Sequence, residues 1–401
     1  MSEGLLRDVP AARGSVLGRA ATAVLERALA PLEGGTLEVL LPDGAVRRFG
    51  SGPPVAMTIE SARLFRRLAT RGKLGLGESY VAGEWSSDDL VGLFELLLVN
   101  AEAAARRYPR LNRVLNAAPR RNRRQGHLRA RRNIAYHYDL GNDLFRLMLD
   151  ETMTYSCAIF ERPDEPLEEA QLRKLRRICQ TLRLGPDDRV LEIGCGWGSF
   201  ALVAAGEYGA HVTGLTISGE QAALARERAA SAGLAHRIEI REEDYRAHEG
   251  SYTKLASIEM LEAVGERQFP TFFAACDGFL EPGGVGCVQT ILVPDRRWER
   301  YRRSRDWIER YVFPGCLIPS LGALTRATAA SRLRIEALDD IGDSYAETLR
   351  RWRARFHERI DDVRALGYDT RFERTWDFYL AFCEAAFRTR ALRDVQFTLA
   401  R

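Results

Sequence analysis

The chain has 401 residues, 28% charged and 46% hydrophobic, with a net charge of +4. That length supports two domains and a large core, and the balance is that of a globular protein. The small net charge excludes a global field for nucleic acid. Seven scattered cysteines, with no C-x-x-C pair and no zinc spacing, point to reduced thiols rather than a disulfide framework or a metal centre.

Met1–Arg19 mixes acids, arginines and a proline and lacks the apolar core of a signal peptide. Leu37–Leu41 and Ala45–Phe49 read as strands joined by a Pro42-Asp43-Gly44 turn, and Ser61–Thr70 and Asp88–Ala105 have helical periodicity. Residues 1–105 are therefore expected to form a small α+β domain, with Tyr80 and Trp85 in its core. Leu90–Val99, the most apolar run, is interrupted by Glu95 and is too short to span a bilayer. Residues 106–132 follow as a basic linker with eleven arginines and no acid. One reading is a solvated, partly helical connection. The other is a patch for anionic lipid headgroups, to which each basic residue adds roughly 1 kcal/mol. No nucleic-acid recognition motif accompanies the charge.

From Asn133 onward, strand-like runs at Val190–Ile193, His211–Leu215, Ile238–Ile240, Lys254–Ile258 and Gly286–Ile291 alternate with helical segments. The alternation predicts parallel strands with crossover helices in a doubly wound, Rossmann-like sheet. Residues 133–401 are expected to be one catalytic domain. An arginine- and aromatic-rich insertion at about 295–330 is placed to form a lid, and an amphipathic helix over Phe372–Ala386 and a strand over Val395–Leu399 close the chain.

Val190-Leu191-Glu192-Ile193-Gly194-Cys195-Gly196-Trp197-Gly198 carries the most chemical information. A buried strand with one acid runs into a turn of alternating glycines and then a helix. Glycines allow positive φ and close approach of a ligand to the main chain. The turn has neither dinucleotide spacing nor a Gly-Lys-Ser/Thr for a triphosphate. It suits a ligand with an amino acid and a nucleoside but no phosphates, such as S-adenosylmethionine. Thr216, Ser218 and Gln221 after the second strand are candidates for the ribose hydroxyls, while Ser218 and Gln221 also fit a helix capping box. Asp244 and Tyr245 after the third strand are candidates for the adenine.

Tyr136-His137-Tyr138-Asp139-Leu140-Gly141-Asn142-Asp143, Tyr155-Ser156-Cys157-Ala158 and Ser257-Ile258-Glu259-Met260-Leu261-Glu262-Ala263-Val264-Gly265 are further motifs. With Phe313-Pro314-Gly315, Tyr345-Ala346-Glu347-Thr348-Leu349 and Tyr379-Leu380-Ala381-Phe382-Cys383, they resemble the cyclopropane-fatty-acid synthase and mycolic-acid cyclopropane synthase family. The resemblance implies a class I S-adenosylmethionine-dependent methyltransferase fold, with Tyr155 and Ser156 joining Glu192, Gly194, Cys195, Gly196, Trp197 and Gly198 around the cofactor. It implies methylene transfer to the double bond of an unsaturated phospholipid acyl chain, with methylene- or methyl-branching as the alternative ending. The carbocation would be deprotonated by a bound bicarbonate held by Cys157, Glu262, Gln289, Ile291 and Tyr345. Cys383 matches a thiol once regarded in the family as a nucleophile. Gln289 and Ala263 stand where the family pattern has histidines. The N-terminal domain resembles, more weakly, the accessory domain of the bacterial enzymes, of lipid-binding or dimerisation type, which allows a homodimer. A cytoplasmic enzyme docked on the inner face of an anionic membrane is expected.

Overall fold

A computed structural model describes residues 32–108 and 141–401. Most of the arginine stretch and Tyr136–Leu140 lie outside the described residues. The chain divides into two compact units, Met1–Ala118 with Thr370–Phe378, and Pro119–Asp369 with Tyr379–Arg401.

In the first unit β1 (Gly35–Leu40) and β2 (Val46–Ser51) form the expected hairpin, with Gly44 at φ 82° in its turn. β3 (Pro54–Ile59) runs parallel to β1 on its other side. Helices α1 (Arg63–Arg71) and α2 (Lys73–Val81) follow, then the short β4 (Trp85–Ser86) and α3 (Leu90–Arg107). Asp89 caps α3 by accepting from the Gly92 amide at 2.8 Å. Leu37, Val39, Trp85, Leu90, Leu93 and Phe94 are buried, so alternating strand residues and one helix face share a core. The unit also takes in Thr370–Phe378, which the sequence alone groups with the catalytic domain. Tyr80 donates to Asp377 at 2.6 Å and Phe378 stands edge-on to Phe94, contacts between residues almost three hundred positions apart.

The second unit opens with α4 (Asn142–Met148) and α5 (Leu167–Leu182). β5 (Arg189–Ile193), α6 (Ser199–Tyr208), β6 (His211–Thr216), α7 (Gly219–Ser231), β7 (Ile238–Glu242), β8 (Tyr252–Ile258), α8 (Phe269–Phe279) and β9 (Leu280–Leu292) then alternate. After α9 (Asp295–Tyr301), α10 (Trp307–Tyr311) and α11 (Leu321–Thr328) come β10 (Arg334–Asp340), α12 (Asp343–Glu358), α13 (Ile360–Ala365), α14 (Thr370–Arg388) and β11 (Arg393–Ala400). The sheet order is β10-β11-β9-β8-β5-β6-β7. β7, β6, β5, β8 and β9 are parallel, and β11 runs antiparallel to both β9 and β10. Strand order reverses at β5, and ligands in such sheets bind outside the carboxyl ends at that point.

Side chains alternate across β5. Leu191 and Ile193 join a core with Phe272, Phe273 and Phe397 on one face. Val190 joins Phe200, Ala201 and Ala225 on the other. The insertion after β9 differs from a free lid. Trp298, Leu317 and Leu324 are part of the first core, and the Val293 amide donates to Pro319 O at 2.8 Å. Apolar side chains anchor this segment at both ends. Among the described residues no helix is long and apolar enough to cross a membrane.

Candidate active site

The glycine turn lies at the carboxyl end of β5. Gly194, Gly196 and Gly198 have φ of 84°, 52° and 82°, the left-handed region that side-chain-bearing residues avoid. A Cβ on Gly194 would stand 2.7 Å from Met260 Cγ, and one on Gly198 3.2 Å from Ala225 Cβ, so these two glycines serve packing. Nothing lies within 4 Å of a Cβ on Gly196. That open face, beside backbone at a helix start, fits a ligand running along the main chain, as S-adenosylmethionine would.

The candidate cofactor residues divide into those facing the turn and those supporting it. Glu192 is buried, on the same strand face as Val190, and accepts from the Ala201 amide in the first turns of α6. Burial raises its carboxyl pKa well above the ordinary range, and it holds turn and helix together from behind. Cys195 is buried in the core beneath the turn, and burial pushes its thiol up. Trp197 donates to Asn142 Oδ1 at 2.7 Å and packs on Phe145. Ser218 caps α7 by accepting from the Gln221 amide at 3.3 Å, but the Gln221 side chain accepts from Thr216 at 2.8 Å and the Ser218 amide donates to Thr216 Oγ1, so the N-cap forms without the reciprocal half of a capping box. Asp244 binds the Arg246 guanidinium at 2.5 Å. The Tyr245 side chain turns into the core edge-on to Phe272, which leaves only its backbone toward a ligand.

Beside the turn, residues 150–158 lie across the ends of β5 and β8. Ser199 donates to the Thr152 carbonyl, and Ser257 to the Ile193 carbonyl at 3.0 Å. Tyr155 shares a hydrogen bond of 2.9 Å with Tyr379, and its ring meets Phe145, Trp352 and Phe313. Ser156 Oγ accepts from Lys174 Nζ at 2.7 Å. Lys174 is buried on α5, and burial lowers its pKa against the pull of Glu259 and other acids.

The expected anion site is built differently from its expectation. The Cys157 amide does donate, but to Glu259 Oε1 at 2.8 Å. Gln289 Nε2 donates to the same oxygen at 2.9 Å, and Tyr345 OH to Glu259 Oε2 at 2.6 Å. The Ile291 amide donates to Glu262 Oε1 at 2.5 Å, joined by Thr290 Oγ1 at 2.8 Å. Every anticipated donor to a small anion is thus engaged by one of two protein carboxylates. Glu259 stands among the Cys157, Gln289 and Tyr345 donors, while Glu262 Oε1 takes those of Ile291 and Thr290. The residues present do not fit a bicarbonate there.

Electrostatics follow from the burial. Gln289 bridges Glu259 and Asp394, donating to Asp394 Oδ2 at 2.8 Å, and its own Oε1 accepts from Gln396 across the β9–β11 pair. Burial first, then the charges of Glu259 and Glu262, raise Asp394 well above the ordinary carboxylate range, which favours its protonated form. Burial raises Glu259 too, opposed by Tyr345, the Cys157 amide, Lys174 and Gln289, all of which favour the anion. Glu262 is pushed up to about 7 by burial and by Glu259. The Cys157 and Tyr345 protons are held by burial and nearby acids, so neither is an anion. Burial raises the Cys383 thiol, which disfavours the thiolate that a nucleophilic role would need.

Sequence reasoning missed Glu259, Asp394 and Lys174. Glu259 had a signal, an acid just past the carboxyl end of a strand beside the switch point. Lys174 occupies a core-facing position of an amphipathic helix, with Leu175 and Ile178. Asp394 has no local signal.

Sheet order, reversed β11 and the glycine turn at the switch point define a class I S-adenosylmethionine-dependent methyltransferase. The profile of the family described as mycolic acid cyclopropane synthetase matches residues 125–397. The chain is 42% identical to the tuberculostearic acid methyltransferase of Mycobacterium tuberculosis over 91% of this chain and 88% of that protein. It is 35% identical to the cyclopropane-fatty-acyl-phospholipid synthase of Escherichia coli over 87% of this chain and 88% of that one. Its fold matches a cyclopropane synthase from Mycobacterium tuberculosis with a TM-score of 0.64 and 30% identity, over 68% of this chain and 98% of that chain. The protein belongs to the mycolic acid cyclopropane synthetase family, whose members transfer a one-carbon unit from S-adenosylmethionine to fatty acyl chains.

Proposed function

We propose that the protein methylates the double bond of an unsaturated fatty acyl chain carried on a phospholipid, and that the product is a methylene-branched chain. Later reduction would make this a methyl branch. S-adenosylmethionine supplies an electrophilic sulfonium methyl. The observation that carries the reading is the wall of rings beside the glycine turn. Tyr155, Tyr379, Phe313, Trp352 and Tyr345 gather around a floor of buried acids. An alkene is a weak nucleophile, and its methylation leaves a carbocation. Apolar walls exclude water from that cation, and aromatic faces stabilise it. The branched ending is favoured over ring closure by the similarity at 42% identity to a tuberculostearic acid methyltransferase, against 35% to a cyclopropane synthase.

The turn at Gly194–Gly198 would hold the cofactor, with Tyr155 and Ser156 at its methionine end, Thr216, Ser218 and Gln221 near the ribose and Asp244 near the adenine. The basic segment 106–132 would dock the protein on the inner face of an anionic membrane. Incubation with unsaturated phosphatidylglycerol vesicles, free fatty acid and acyl thioester, followed by mass spectrometry and proton NMR, tests both parts. Vinylidene protons on the phospholipid product are expected. Cyclopropyl protons would assign the ring-forming ending, and product on free acid or thioester alone would remove the phospholipid.

A further inference from the structure

Glu259 sits in a conformation that its residue type makes costly. Its φ is 49°, a left-handed backbone that suits glycine. Non-glycine residues persist there only when their surroundings hold them, and such residues gather at functional sites. What holds Glu259 is its carboxylate. Oε1 is saturated by two donors, the Cys157 amide and Gln289 Nε2. Oε2 accepts from Tyr345 OH at 2.6 Å, and Asp394 also hydrogen-bonds the carboxylate. The residue as a whole keeps partial exposure, in contrast to Asp394 and Glu262 in the same cluster, although its carboxylate is buried among its donors.

Glu259 thereby occupies the donors expected for a bicarbonate. We propose that Glu259 is the catalytic base, its Oε2 taking the proton from the methyl group newly bonded to the acyl chain, and that the enzyme works without bicarbonate. The inference rests on alkene methylation as the reaction. The alkene pair forms the new C–C bond while the sulfonium C–S bond breaks, leaving a cation on the neighbouring carbon. A hydride from the methylated carbon shifts to that neighbour. A methyl C–H bond then breaks. Its electron pair forms the exocyclic double bond, and its proton goes to Oε2. In the ring-forming ending the same pair, without the hydride shift, closes the third C–C bond. In either case a cation and a carboxylate become two neutral groups, and the proton later leaves to water.

The groups facing Glu259 suit this role. Tyr345 donates to Glu259, Lys174 lies close enough to favour its anion, and burial favours the protonated form of Asp394. Neither Glu262 nor Asp394 has this arrangement of donors. Glu262 Oε1 is tied to the β9 backbone, and Asp394 Oδ2 accepts only from Gln289 Nε2 among the hydrogen bonds seen, in a buried setting that favours its protonated form.

The full-length protein, freed of carbon dioxide, is assayed for S-adenosylhomocysteine with oleoyl phosphatidylglycerol vesicles and S-adenosylmethionine. Wild-type turnover should be the same within about twofold with and without added bicarbonate, while Glu259→Gln should lose on the order of 100-fold or more. Glu259→Gly should fold, since glycine suits φ 49°, bind S-adenosylmethionine as wild type does in calorimetry, and regain turnover when formate or bicarbonate is added. Carbon-13 NMR of labelled bicarbonate should show binding to Glu259→Gly and none to wild type. Bicarbonate-dependent turnover or bicarbonate binding in the wild type, or normal turnover of Glu259→Gln, would overturn the proposal. If no unsaturated lipid gives S-adenosylhomocysteine, the alkene-methylation reading fails, and the NMR comparison still decides whether Glu259 or a bicarbonate fills the site.

Discussion

The two halves of the active site are made in different ways. Around the end of β5 the site is backbone, with three glycines at positive φ, a helix start and the Ser218 N-cap, all within residues 190–221. Around the ends of β8, β9 and β11 it is side chains. Cys157, Lys174, Glu259, Glu262, Gln289, Tyr345 and Asp394 come from separate elements and meet only when the sheet is complete. The first half tolerates little change in shape and carries little charge. The second gathers three buried carboxyl groups around one buried lysine, and each proton there depends on its neighbours. A local motif can bind a cofactor shared by many enzymes, whereas the chemistry of this enzyme is decided by an assembled cluster.

Removing the lysine should separate the halves most sharply. Lys174→Met leaves buried acids without their cation, and loss of one partner of a buried charge set costs about 3–5 kcal/mol. Denaturant unfolding at pH 8 should show most of that loss. It should shrink as the pH is lowered, because protonated acids no longer need the cation. A loss independent of pH would mean that Lys174 acts through packing alone.

Gly196→Val strikes the other half. A β-branched residue is strained at φ 52°, and its side chain enters the open face. S-adenosylmethionine affinity should fall on the order of 100-fold, ~2.8 kcal/mol. The bicarbonate NMR behaviour of the acid cluster should be unchanged. Normal affinity in calorimetry would remove the cofactor from this turn.

Glu262 gives a pH signature. Its folded pKa of about 7 lies above the ordinary 4.5, so between those values the folded state holds a proton that the unfolded chain has lost. Stability therefore falls as pH rises through that window, by on the order of 3 kcal/mol in all. Glu262→Gln should flatten this slope in urea titrations at pH 5 and pH 8. An unchanged slope would place the raised proton elsewhere in the cluster.

The smallest effect belongs to the cap. Ser218→Ala should cost about 1 kcal/mol of stability through the lost Gln221 amide contact. It should weaken cofactor binding only if Ser218 also touches the ribose, and calorimetry on the variant separates the two roles.

What could be read directly from the sequence is what short stretches decide. The parallel strands, the glycine turn, the Ser218 cap and the hairpin at Gly44 each rest on residues within a few positions of one another, where φ preferences and apolar periodicity act without the rest of the chain. Motifs in order then placed Cys157, Gln289, Ile291 and Tyr345 in one neighbourhood, where the structure also finds them. The partner of each was not legible. Whether Tyr345 meets a solute anion or Glu259, 86 positions away, depends on how α12 packs on the end of β8. The Asp394 carboxyl is raised because β11 inserts antiparallel between β9 and β10, burying it beside Glu259 and Glu262. Thr370–Phe378 joins the first unit through Tyr80 and Phe94 for a similar reason. Sequence alone determined the local conformations and the kinds of group available. The tertiary structure decided which groups meet and which keep their protons, because burial and charge proximity are properties of the packed chain.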